Sequence, residues 1–295
     1  MAVSTQSGQV FAPLVEADWL AENINEPDIV VLDSSWHMPQ ENRDGETEWY
    51  EQRIPGSRFF DFDGRISDQS NDLPHMLPDV ETFNREVRRL GVNQNSRIVV
   101  YDVSGVFSGV RAWWMFRVMG HHNVAVLNGG LPAWKRAGQR IETGDSGLPP
   151  AGNFSGTLQP QWVHNTEQVQ AALQDPAKTV IDARSGERYS GVVDEPRPGL
   201  KRGHMPGALN LPFVDLHDTK GCLQPPAELK EAFTDLGLEQ MNQPLVFSCG
   251  SGVTACVLAL GAELAGYTNL SVYDGSWTEW GQLDNDLPVV NGWDD

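Results

Sequence analysis

Basic residues are scarce in this sequence. Lys and Arg number 21 against 40 Asp and Glu, a formal net charge of −19 over 295 residues. A chain this acidic is repelled by phosphate backbones and by anionic lipid surfaces, so neither nucleic acid nor a membrane is expected as a partner. An anionic substrate has to find a local positive site against the overall field. Cysteine is scarcer still. Cys222, Cys249 and Cys256 are the only three, too few for a disulfide framework and without the Cys-x-x-Cys spacing of a metal site. They fit a reducing compartment. The seven histidines show no metal-ligand spacing, so neither a metal nor another cofactor is expected. Long apolar runs are missing too. The main uncharged stretch, 241–262, is interrupted by Asn242, Gln243, Pro244, Ser248 and several glycines, and does not read as a membrane span. The N-terminal segment MAVSTQSGQVFAPLVEADW has no basic n-region, no apolar h-region and no arginine. No targeting peptide is expected there, and the cytoplasm is the expected compartment.

The rest of the composition is that of a folded protein. Hydrophobic residues make up 40% and charged residues 21%, too apolar for disorder. At roughly 150 residues per domain, the length suggests two domains. An internal repeat supports that. Val100-Tyr101-Asp102 resembles Val246-Phe247-Ser248 at an offset of 146. Carried forward without gaps, the same offset sets Gly120 on Gly266, Asn128-Gly129 on Asp274-Gly275, and Trp134 on Trp280. Earlier landmarks, Val31-Leu32-Asp33 with Val180-Ile181-Asp182 and Ile54-Pro55-Gly56 with Met205-Pro206-Gly207, repeat at 149 and 151. Shared order and spacing argue for a duplicated domain. The Gly- and Pro-rich segment 143–153 reads as the linker, giving domains over 8–145 and 160–291.

Each copy alternates short β-branched runs (28–33, 97–101 and 123–127; 179–182, 244–247 and 270–273) with helically spaced segments (80–90, 111–119, 227–236 and 253–265). That pattern predicts an α/β fold with mostly parallel sheets covered on both faces. Ligands of such sheets sit beyond the carboxyl ends of the strands, where loops enter helices.

In the second copy that place holds Ser248-Cys249-Gly250-Ser251-Gly252-Val253-Thr254-Ala255. Cys249 opens a tight loop between a strand and a helix. Backbone N–H groups turned inward there make an anion-binding nest. Gly250 and Gly252 are expected to supply positive φ or close backbone approach. The nest and the helix dipole favour a thiolate, so Cys249 is the candidate nucleophile. Cys222 and Cys256 read as small buried hydrophobes. A phosphatase Cys-x5-Arg loop is excluded, because Ala255 stands six residues after Cys249. A loop this short suits a persulfide, with N–H groups around the outer sulfur.

At these residues the sequence resembles the two-domain rhodanese-like sulfurtransferases, in their mercaptopyruvate branch. The resemblance covers nearly the whole chain. Its motifs are Cys249-Gly-Ser-Gly-Val-Thr254, Phe59-Phe-Asp-Phe-Asp63, His75-Met-Leu-Pro78, Arg111-Ala-Trp-Trp114, Gly203-His-Met-Pro-Gly-Ala208 and Tyr273-Asp-Gly-Ser-Trp277. It implies two tandem rhodanese-like domains, each a five-stranded parallel sheet flanked by helices, the first catalytically silent. It implies 3-mercaptopyruvate as sulfur donor, bound by Arg188, Arg197 and the loop residues Gly250, Gly252, Val253 and Thr254. A Cys249 persulfide and pyruvate would form, and cyanide, small thiols or thioredoxin would accept the sulfur. A relay of Ser251, His75 and Asp63 is implied for proton handling. Thiosulfate as donor, and a persulfide carrier acting as an interaction module, remain open. The gapless offset sets Val103 opposite Cys249. Arg184 is expected to pair with Asp182, and His121-His122 to lie in an exposed loop or helix cap.

Overall fold

The structure is a computed structural model that describes residues 11–145 and 147–293. Residues 8–10 of the expected first domain, most of the N-terminal segment read above, and Ser146 of the expected linker lie outside the described residues.

The β-branched runs form two separate sheets of five strands each. The first contains β1 (Leu14–Val15), β2 (Ile29–Asp33), β3 (Arg58–Phe59), β4 (Arg97–Tyr101) and β5 (Val124–Leu127). The second contains β6 (Val163–His164), β7 (Thr179–Asp182), β8 (Leu209–Asn210), β9 (Leu245–Ser248) and β10 (Leu270–Tyr273). The orders are β1-β5-β4-β2-β3 and β6-β10-β9-β7-β8, and every pairing is parallel. The two sheets have the same topology, as a duplication requires. The inner strands are buried on both faces, which explains why their sequences are continuous apolar runs rather than alternating ones.

The two domains meet through equivalent helices, Gly109–Val118 and Ala255–Leu264. Both are almost wholly buried, so both are apolar around most of their circumference. Trp113, Trp114, Met115, Val257 and Leu258 belong to one core that runs through the interface. The interface has approximate two-fold symmetry. Arg117 and Glu263 occupy equivalent positions and pair with each other at 2.9 Å. Leu77 N–H donates to Asp274 Oδ2 at 2.8 Å, and its equivalent Leu223 N–H donates to Asn128 Oδ1 at 2.9 Å. A loop of each domain thus reaches the strand ends of the other.

His121 caps its helix as expected, its N–H donating to the Phe116 carbonyl at 2.9 Å, and His122 is exposed, but the His121 side chain corrects the reading of exposure. It is buried at 4% exposure, with Nε2 2.9 Å from the Ser96 carbonyl and its ring against Phe116 and Phe154. Packing of the Phe83–Phe116–Phe154 cluster draws it inward.

Candidate active site at the domain interface

Cys249 follows β9 directly and is 2% exposed. The loop is tied to the segment after β10. Cys249 N–H donates to Ser276 Oγ at 3.1 Å, Trp277 N–H to the Cys249 carbonyl at 3.0 Å, and Thr278 N–H to the Gly250 carbonyl at 2.9 Å. Among the described residues, the N–H groups of Gly250, Ser251, Gly252, Val253 and Thr254 donate to no other protein group. They remain available to an anion at Cys249.

Only one of the two glycines has the expected conformation. Gly252 has φ +74°, and a Cβ there would lie 2.6 Å from the Asp274 carbonyl oxygen. Gly250 is not in the left-handed region; a Cβ there would lie 3.0 Å from Arg188 Nη2. Gly250 therefore serves by leaving room for a guanidinium rather than by its backbone freedom.

The first domain contains an image of this loop, and its register corrects the alignment. Leu131 N–H bonds the Asp102 carbonyl as Trp277 N–H bonds that of Cys249, and Ser34 N–H bonds the Tyr101 carbonyl as Ala183 N–H bonds that of Ser248. Asp102, not Val103, is the structural counterpart of Cys249. The first loop is one residue longer before its helix, so a gapless offset slips by one. The Asp102 carboxylate accepts N–H bonds from Ser104 (2.8 Å), Gly105 (2.9 Å), Phe107 (3.0 Å) and Gly109 (2.8 Å). The first nest is filled by its own carboxylate. The second carries a thiol there and stays open.

His75 comes from the first domain. Its φ is +63°, an uncommon conformation for a residue with a Cβ. It is 3% exposed and packed edge-on against Trp36, ring centroids 4.7 Å apart. Nδ1 lies 2.7 Å from Asp63 Oδ1, and Trp36 Nε1 donates to Asp63 Oδ2 at 3.0 Å. Nε2 faces Arg197 Nη2 at 3.4 Å. Arginine only donates, so the neutral ring carries its proton on Nδ1 and presents a lone pair at Nε2. Burial, the largest influence, pushes the imidazole below its ordinary value, Asp63 opposes this, and Arg111 and Arg197 add to it. Burial pushes the Asp63 carboxyl up, but the hydrogen bonds and charges of His75, Trp36 and Arg197 outweigh it and hold the group below the usual range. Ser251 is buried in the loop; a hydrogen bond from its hydroxyl to His75 is not among those of the described residues.

Arg111 joins these parts. Fully buried and stacked over Trp114 at 4.3 Å, it donates from Nη1 to the Gly252 carbonyl at 3.1 Å and from Nη2 to the His75 carbonyl and to Asp274 Oδ1 (2.6 Å). One guanidinium of the first domain thus holds the cysteine loop and His75 in register. Arg111→Met leaves Asp274 buried without its cation. Removing one partner of a buried pair costs about 3–5 kcal/mol, so a matching drop in the urea unfolding midpoint is expected. An unchanged midpoint would contradict this role.

The arginines of the second domain divide. Arg184 is buried and pairs with Asp182 at 2.6 Å. Arg188 Nη2 reaches over Gly250. Arg197 faces His75 Nε2 and borders a cavity of about 540 Å³ whose walls include Leu73, Pro198, Leu200, Thr278 and Leu283. Sequence reasoning did not single out Trp36 or Ser276; it offered Glu195 only as one of three carboxylates, with Glu187 and Asp194, that could pair with Arg188 or Arg197, and the structure pairs it with Arg188. Trp36 is recognised only by side-chain contacts that cross loops and carries no local signal.

Two parallel α/β sheets with a thiol in an open N–H nest define a tandem rhodanese-like protein, and the comparisons agree. The rhodanese-like domain family matches residues 16–137 and 165–283. The 3-mercaptopyruvate sulfurtransferase of Escherichia coli (strain K12) is 44% identical, covering 93% of this chain and 96% of its own. The thiosulfate/3-mercaptopyruvate sulfurtransferase 1, mitochondrial, of Arabidopsis thaliana is 41% identical, covering 97% of this chain and 80% of its own. A crystal structure from Escherichia coli, of the 3-mercaptopyruvate sulfotransferase group, superimposes with a TM-score of 0.81 at 40% identity, covering 91% of this chain and 100% of that one. The chain belongs to the rhodanese family and is a sulfurtransferase built of two rhodanese-like domains. Among the described residues no helix is long and apolar enough to cross a membrane.

Proposed function

We propose that the protein takes sulfane sulfur from 3-mercaptopyruvate and passes it to a second thiol or to cyanide through a persulfide on Cys249. The observation that carries this is the pairing of an open N–H nest at Cys249 with two guanidinium groups, Arg188 and Arg197, beside it. The Cys249 thiolate attacks the donor sulfur. The C–S bond breaks, its electron pair forms the enolate of pyruvate, and the sulfur stays on Cys249 as the outer atom of a persulfide. The proton carried by the donor thiol returns to the enolate carbon to give pyruvate. A thiolate acceptor then attacks the outer sulfur and releases Cys249.

Arg188 and Arg197 bind the carboxylate and ketone and stabilise the enolate oxygen. The N–H groups of Gly250, Gly252, Val253 and Thr254 surround the transferred sulfur. His75, oriented by Asp63, moves the proton through Nε2; Ser251 joins the relay when the donor brings its hydroxyl into line. The first domain, over 8–145, is silent, because Asp102 occupies its nest. Its counterpart cavity of about 270 Å³ is walled by Val103, Arg43, Glu48, Glu51 and Lys135, with Glu48 already holding Arg43. The second domain, over 160–291, carries the chemistry. Three free cysteines support a reducing compartment, and we assign the chain to the cytoplasm, with thioredoxin as a thiol partner.

Intact mass after addition of mercaptopyruvate tests the reading. The expected result is a gain of one sulfur atom with stoichiometric pyruvate, and multiple turnovers once a thiol is added. Sulfur loading without turnover would point to a carrier module instead. The pH profile tests His75. Because its pKa is held below the ordinary 6.5, the neutral acceptor form persists as pH falls through 6.5. The acid limb of kcat/KM is therefore expected below pH 6.5, and His75→Asn is expected to remove it with a loss of roughly 10²–10⁴-fold. An acid limb that survives His75→Asn unchanged assigns the proton to another group.

A further inference from the structure

Donor binding as proposed leaves one buried carboxylate without a role. The Glu195 side chain is 3% exposed. It lies between two arginines. Oε1 accepts from Arg184 Nη1 at 2.8 Å and from Arg188 Nε at 3.1 Å, and Oε2 accepts from Arg188 Nη2 at 2.5 Å. Arg184 is itself fixed. It donates three side-chain hydrogen bonds to Asp182 and one to the Gly203 carbonyl at 2.8 Å, and stacks over Trp277 at 4.1 Å. A ladder of alternating charge, Asp182–Arg184–Glu195–Arg188, therefore runs from the end of β7 to the cysteine loop. The next residue is tied across the interface, where Gln40 Nε2 donates to the Pro196 carbonyl at 2.7 Å.

The ladder has two consequences for the cleft. An arginine side chain is rich in rotamers, and a two-point bond to a buried carboxylate removes that freedom before a donor arrives. The formal charges of the four ladder residues also cancel. Arg197, which makes no ion pair among those of the described residues and faces His75 with Asp63 behind it, then supplies positive charge to the cleft, while Arg188 supplies oriented N–H donors. That combination fits a monoanion with a neighbouring carbonyl oxygen better than a compact dianion.

We propose that Glu195 is a positioning residue that acts through Arg188 and sets donor specificity, favouring 2-oxo carboxylate thiols over dianionic donors. This rests on the mercaptopyruvate reading above. Glu195→Gln keeps the volume, removes the charge and leaves an amide facing a guanidinium. The expected result is a fall of about tenfold or more in kcat/KM for mercaptopyruvate, an unchanged kcat/KM for the acceptor cyanide, and a mercaptopyruvate-to-thiosulfate ratio at least tenfold lower. Glu195→Asp keeps the charge but shortens the reach. It is expected to lose mercaptopyruvate turnover without gaining on thiosulfate, and it carries the test if the Gln variant does not fold. In an Arg188→Ala background Glu195→Gln is expected to change donor kinetics less than twofold, since a residue acting through another is not additive with it.

Full additivity in that background overturns the proposal. So does a lower unfolding midpoint in Glu195→Gln with an unchanged donor ratio, which marks a structural residue only. Native protein that turns over mercaptopyruvate normally while Glu195→Gln does the same overturns this inference alone. Native protein that does not use mercaptopyruvate overturns the donor reading and this inference with it.

Discussion

Cys249→Ser is expected to abolish sulfur transfer, with a loss on the order of 10³-fold or more, the scale on which removing a nucleophile acts. Serine retains the volume and the loop, so the variant should fold and keep its unfolding midpoint. It lacks a sulfur that can be ionised in the nest and carry a second sulfur atom. Cys222→Ser and Cys256→Ser serve as controls, and the structure gives a reason for each. Cys256 is fully buried, donates its thiol hydrogen to the Gly252 carbonyl at 3.2 Å, and has its thiol pushed far above the ordinary range, first by burial. Cys222 is half-buried rather than the core residue expected, with Arg136 Nη2 3.6 Å from its sulfur; burial nevertheless pushes its thiol up, and Asp218 adds to it. A thiol held protonated is a poor nucleophile. Both variants are expected to keep most of the activity in a cyanide or thiol acceptor assay. Comparable losses in all three would remove Cys249 from its assigned role.

The sequence made the inner strands legible, since fully buried parallel strands are short continuous apolar runs. The observed β4, β7 and β10 have the expected bounds. The edge strands β1, β3, β6 and β8 were not legible. Each has two residues, too few for a period to register, and their pairing is decided by the strand beside them. The cysteine loop was legible because its signal is local: a strand end, two nearby glycines and a helix start. Its first-domain image was misplaced by one residue, because a hydrophobic match such as Val100-Tyr101 with Val246-Phe247 tolerates a shift that hydrogen-bond register does not. Trp36 was out of reach, and Glu195 stood only as one of three candidate partners, with Glu187 and Asp194, for the two arginines. In a chain with 40 acidic residues, proximity in sequence does not decide which carboxylate holds which arginine. Three-dimensional packing does, and in this fold it selects Glu195 over Glu187 and Asp194 as the partner of Arg188.

The second large effect concerns the donor and rests on two loop positions. The resemblance to the family implies that its thiosulfate branch carries arginine and lysine where Gly250 and Ser251 stand here. In this chain those residues are neutral, and the cations sit on separate segments, Arg188 beside Gly250 and Arg197 beside His75. A compact dianion in the loop would find backbone N–H groups but no side-chain charge within the loop itself. Each charge-assisted hydrogen bond contributes about 1.5–3 kcal/mol, roughly 10–150-fold in kcat/KM. Native protein is therefore expected to prefer mercaptopyruvate over thiosulfate by at least about tenfold in kcat/KM. Gly250→Arg with Ser251→Lys is expected to reverse the order, through two separate changes. The new cations compensate a dianion. The new side chain at 250, whose Cβ would lie 3.0 Å from Arg188 Nη2, also drives that guanidinium out of its place, and mercaptopyruvate loses a donor to its carboxylate or ketone. Gly250 has no positive φ, so the backbone accepts arginine there without strain; a lower unfolding midpoint is expected instead from the ammonium placed at Ser251, which is 5% exposed, and from buried Glu195, which loses one of its two arginines. The measurement is steady-state kinetics of native and double-variant protein with both donors and cyanide as common acceptor. Equal or better use of thiosulfate by the native protein would overturn the donor assignment. A double variant that gains thiosulfate activity while keeping full mercaptopyruvate activity would show that Arg188 yields space without losing its contact, which the short approach at Gly250 argues against.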